Sequence, residues 1–93
     1  MNKYEVLYIL NASLDDSAKD EIIERFKGVV TNAGGEVEGV DKWGVKKLAY
    51  EINFKSEGYY VLMNFTAEAN VPAEIERQMR ITDGVMRFIV VRK

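Results

Sequence analysis

Trp43-Gly44-Val45-Lys46-Lys47-Leu48-Ala49-Tyr50 lies within a run from Glu36 to Ile52 that reads as one long strand. Two adjacent cations share it with apolar residues. Gly39 and Gly44 interrupt it where bulges or strong bending belong. Lys55-Ser56-Glu57-Gly58 then reads as a hairpin loop, and Tyr59 to Thr66 as the next strand. Two strands joined directly, with helical stretches outside them, decide the fold.

Working outward, Lys3 to Leu10 is rich in Tyr, Val, Ile and Leu and reads as a strand that Asn11-Ala12-Ser13 breaks. Ser13 or Asp15 can cap a helix after it, and Asp15 and Asp16 suit its positive end. Ala18, Ile22, Phe26, Val29, Val30 and Ala33 recur at helical spacing, so the helix runs to about Ala33. Gly34-Gly35 stops it. A second helix begins at Pro72, with Asn70 as its cap, and turns Ile75 and Met79 inward. Thr82-Asp83-Gly84 ends that helix, and Val85 to Arg92 is the last strand. The order βαββαβ with right-handed crossovers predicts an α+β, ferredoxin-like fold over a single domain, residues 1–93. Its antiparallel sheet has four strands and carries both helices on one face.

The other sheet face then has no cover. Alternation places Tyr4, Val6, Tyr8 and Leu10, with Val61, Met63, Phe65, Phe88 and Val90, on the core side. Leu7, Ile9, Tyr60, Leu62, Ile89 and Val91 fall on the open side. Monomers rarely expose a contiguous apolar patch above a few hundred Å², so these six residues are candidates for binding a partner protein.

Composition excludes most chemistry. The chain has 93 residues, no cysteine and no histidine. Disulfides, thiol chemistry, the commonest general base and the commonest metal ligand are all missing. No stretch approaches the ~20 apolar residues of a membrane helix, and the short run Val6 to Leu10 is no signal-peptide core. The loop Asn11 to Asp16 is acidic and would repel a phosphate, and no glycine-rich nucleotide loop occurs. The expectation is a protein of the cytoplasm that is not an enzyme, with no cofactor, no metal and no small-molecule substrate.

Charge is unevenly spread along the sequence. The net charge is −2. Residues 1–40 set Lys3, Lys19, Arg25 and Lys27 against eight carboxylates. From Arg77 onward, Arg77, Arg80, Arg87, Arg92 and Lys93 face Asp83 alone. A local basic end can meet phosphate in spite of an acidic total. Lys3, Lys46, Lys47, Arg80, Arg87, Arg92 and Lys93 are therefore the candidates for RNA contact, Lys3 and Lys93 less so because they are near the termini. Tyr60 is a candidate for stacking on an unpaired base. The third strand nevertheless fits the RNA-recognition-motif signature poorly. Glu57 stands where a cation belongs, and Val61 where the second stacking aromatic belongs.

Tyr4-Glu5, Gly44-Val45-Lys46-Lys47-Leu48-Ala49-Tyr50, Gly58-Tyr59 and the run from Arg80-Ile81-Thr82-Asp83-Gly84-Val85 to Val91 occur in order and in register with βαββαβ. In this the chain resembles the bacterial small-subunit ribosomal protein S6 family along its whole length. The resemblance implies a structural component of the 30S subunit, on the ribosome. It would bind the central domain of 16S rRNA together with ribosomal protein S18, as a heterodimer. Family members often carry a polar C-terminal tail, and with this chain stopping at Lys93 any contact made by a tail is expected to be missing. A second reading stays open: a ferredoxin-like module that dimerises through its sheet or senses a small molecule. Tight homodimerisation in gel filtration would favour it.

Overall fold

The computed structural model describes the backbone of residues 1–52 and 55–93, and the side chains of all of these except 49, 50, 52 and 55. Six elements follow in the predicted order: β1 (Asn2–Asn11), α1 (Asp16–Asn32), β2 (Glu36–Ile52), β3 (Lys55–Ala67), α2 (Val71–Arg80) and β4 (Val85–Arg92). The strands form one antiparallel sheet in the order β2-β3-β1-β4. Consecutive strands β2 and β3 are neighbours, and each βα crossover carries the chain past a strand. This is the ferredoxin-like arrangement.

Alternation holds along β1, where Tyr4, Val6, Tyr8 and Leu10 are buried. They join Val61, Met63 and Phe65 from β3, Phe26 and Val30 from α1, and Ile75 and Met79 from α2 in a single cluster. One cluster fed by both helices places both on the same sheet face. Tyr8 meets Phe26 edge to face at 5.2 Å, and Tyr4 stacks on Phe65 at 5.5 Å. Aromatic pairs of this kind add to the burial of apolar area. Phe88 and Val90 are half-buried against the cluster, since β4 is an edge strand.

Three local expectations are corrected, and the alternative left open for the α1 cap is resolved. Lys55 to Gly58 is strand, not loop: Ile52 pairs with Lys55 and Lys46 with Gly58. The connection between them, Asn53 and Phe54, lies outside the described residues. The buried stripe of α1 is Lys19, Ile23, Phe26 and Val30, while Ile22 is half-buried and Ala33 exposed. Lys19 enters that stripe because its long stem packs inward and its ammonium rests 4.6 Å from the Tyr59 ring. Asp15 rather than Ser13 caps α1, its carboxylate accepting from the Ala18 amide at 2.8 Å. Asn70 precedes α2 in helical geometry and its side chain makes no capping bond.

Both expected irregularities of β2 appear. The register shifts between Val37 and Gly39 and again between Lys42 and Gly44. Gly44 has φ +85, a conformation that costs any residue with a Cβ. The β2–β3 pairing shifts once more between Lys47 and Ile52, and the β1–β4 pairing shifts between Ile9 and Leu10.

Candidate protein and RNA interface

Register assembles the open face. Leu62 pairs with Leu7, and Leu7 pairs with Ile89, so one apolar row crosses β3, β1 and β4. The next row joins Tyr60, Ile9 and Arg87 in the same way. Ile89 is 59% exposed and Val91 49%, whereas Leu7, Ile9, Tyr60 and Leu62 are half-buried by their neighbours. Leu7, Ile9, Arg87, Phe88 and Ile89 line a shallow cavity of about 250 Å³. All six residues of the predicted patch thus share one surface.

The predicted cations do not. Alternation puts Lys46 on the open face and Lys47 on the other, where it stands opposite Glu57. Lys3, on the open face, sits beside Lys93, whose amide donates to the Lys3 carbonyl at 2.9 Å. The Lys93 ammonium is 3.6 Å from Glu5. Arg87 borders the apolar rows. Arg80 lies on the helix side, over the Phe88 ring and 3.7 Å from Glu76. Arg92 donates to Asn2 Oδ1 at 2.9 Å. Lys3, Lys46, Arg87 and Lys93 therefore surround the open face, and Lys47, Arg80 and Arg92 point elsewhere.

Trp43 was not among the predicted site residues, and strict alternation along β2 would have put it on the wrong face. Counting back from Lys46 puts Trp43 on the opposite face. The shift between Lys42 and Gly44 makes Trp43 the extra residue and returns it to the open side. There its ring runs nearly parallel to Tyr60, at 10° and 6.4 Å between centroids. Lys42 keeps to the helix side and donates to Asp20 of α1 at 3.1 Å. That carboxylate pushes the Lys42 pKa upward, by hydrogen bond and by charge. The glycine at 44, beside a tryptophan, was the available signal.

No group of side chains among the described residues could hold a metal ion. No described helix is long and apolar enough to cross a membrane. What the site offers is an apolar platform with a shallow cavity, bordered by cations and by the carboxylates Glu5 and Asp41.

The class defined by this fold and face is a ferredoxin-like domain with both helices on one side of its sheet and no helix on the other. The family model described as ribosomal protein S6 matches residues 3–92. The small ribosomal subunit protein bS6 of Clostridium novyi is 59% identical over 91 residues, covering 98% of this chain and 96% of the relative. That of Clostridium beijerinckii is 55% identical over 93 residues, 100% and 98% respectively. The crystal structure of 30S ribosomal protein S6 from Thermotoga maritima superimposes with a TM-score of 0.93 at 26% identity, over 99% of this chain and 87% of that one. The chain belongs to the ribosomal protein S6 family.

Proposed function

We propose that this protein is a non-catalytic structural component of the 30S subunit on cytoplasmic ribosomes. It binds the central domain of 16S rRNA together with ribosomal protein S18, as a heterodimer. Family membership supports the ribosomal role. The row Leu62–Leu7–Ile89, in register across three strands and covered by no helix, carries the partner reading. Residues 1–93 act as one domain in this account. S18 docks on Leu7, Ile9, Tyr60, Leu62, Ile89 and Val91. The RNA backbone is met first by Lys3, Lys46, Arg87 and Lys93 around that face, with Lys47, Arg80 and Arg92 offering further phosphate contacts outside it.

A net charge of −2 gives this chain alone little attraction for phosphate. Docking a basic partner beside it enlarges the positive surface, and two linked modules bind at a raised effective concentration. The test is rRNA affinity with and without S18 across a salt series. Weak binding alone, strengthened by S18 and falling with salt, is the expected result. Tight, salt-independent binding by the isolated chain overturns the proposal.

A further inference from the structure

We propose that Trp43 and Tyr60, with Lys46 beside them, form a stacking shelf for one unpaired RNA base, the Lys46 ammonium meeting a phosphate of the same strand. This rests on the RNA-binding reading above and supplies a mode and a place of contact that reading leaves open. Three observations carry it. The two rings are nearly parallel, 10° apart, and Trp43 is 45% exposed, so the stacked pair stays open to solvent on the Trp43 side. Every base presents a π face to such a surface, and stacking on it tolerates any sequence. The Lys46 ammonium lies over the Trp43 ring, 5.3 Å from its centroid, so a stacking base takes its place there and the displaced ammonium stays within the span of one nucleotide. Asp41, paired with Leu62, is on the other side of Trp43 along β2. The strand therefore offers phosphate a favourable side and an unfavourable one, which sets the direction of the bound chain.

Position argues for RNA over protein at this spot. Trp43 is on β2, an edge strand, whereas the apolar rows centre on β1. Residues that anchor protein partners cluster near the middle of an interface, so S18 covers Tyr60 from its Ile9 side and leaves Trp43, at the rim, open to another ligand. The bulge at Gly44 supplies the geometry, since without it Trp43 would face the helix side.

Trp43 is the only tryptophan of the chain, so its fluorescence reports on this site alone. The experiment titrates the full chain with a mixed-sequence single-stranded RNA decamer and with a blunt RNA duplex of that length, at low salt. Binding is followed by anisotropy of the labelled RNA and by Trp43 emission. The single strand should quench Trp43 to saturation, and the duplex should do so far less. Trp43→Ala should weaken single-strand binding about 10-fold, with Trp43→Phe in between. Lys46→Ala should keep the quench and lower the salt slope by about one. RNA bound by anisotropy with Trp43 emission unchanged overturns the shelf and leaves the wider RNA reading intact. No binding of the decamer or of a 16S central-domain fragment, with S18 present or absent, overturns both. A blue shift of Trp43 on adding S18 alone, with no quench by RNA, assigns the shelf to the protein partner and overturns the proposal.

Discussion

Tyr8 is fully buried, and its hydroxyl has no hydrogen-bond partner among the described residues. Burial pushes its phenol pKa well above the ordinary value, and Tyr59 and Glu24 add to the effect. An unpartnered buried hydroxyl forfeits its bonds to water and receives nothing in return. Tyr8→Phe keeps the edge-to-face contact with Phe26 and removes the orphan group. It should raise stability by about 1 kcal/mol in urea unfolding, and a loss of stability would mean the hydroxyl has a partner. Phe26, also fully buried, should cost roughly 3–5 kcal/mol as Phe26→Ala, read from the same midpoints. Single residues were legible where type and face agree, as along Tyr4, Val6, Tyr8 and Leu10. Lys19 was not, because a lysine counts as surface until a ring is placed beneath its ammonium. That ring, Tyr59, lies 40 residues away in the chain.

Among the elements, β2 and α2 carry the sharpest tests. Gly44 holds φ +85, whereas Gly39 has open space around it and no positive φ. Gly44→Ala should cost about 1–2 kcal/mol and Gly39→Ala almost nothing, as measured by thermal or urea unfolding. Equal effects would contradict the bulge at Gly44. On α2, Arg77 donates to both Glu74 oxygens, at 2.6 and 3.0 Å, and Gln78 donates at 3.1 Å. These bonds hold the Glu74 carboxyl down at about 2. A folded-state pKa below the unfolded one stabilises at neutral pH, and that contribution is lost as pH falls from about 4.5 toward 2. The urea midpoint of wild type should therefore drop more steeply over that range than that of Glu74→Gln, and parallel curves would refute the pairing. The bounds of β2 were readable in spite of Gly39 and Gly44, because Val37, Val40, Trp43, Val45 and Ile52 carry β propensity along the run. The start of β3 was not, since Lys55-Ser56-Glu57-Gly58 has the composition of a turn. Pairing with β2 overrides that local preference.

At the scale of the whole molecule, the fold follows from element order and handedness, both visible in the sequence. The apolar patch followed from alternation, which fails only where an extra residue enters a strand. The distribution of cations was less legible. Charge clustered along the chain, in residues 77–93, divides in space, because neighbours in a strand face opposite ways and α2 lies behind the sheet. The central claim is that the open face receives S18. Ile89 tests it most directly, being the most exposed member of the row Leu62–Leu7–Ile89. Ile89→Asp leaves the core untouched, so the free protein should fold with an unchanged urea midpoint. In a complex the carboxylate would be buried without a partner, which is strongly unfavourable. Calorimetric titration of S18 into wild type and Ile89→Asp should show at least a 100-fold loss of affinity in the variant. Undiminished S18 affinity in a correctly folded Ile89→Asp protein would contradict the account.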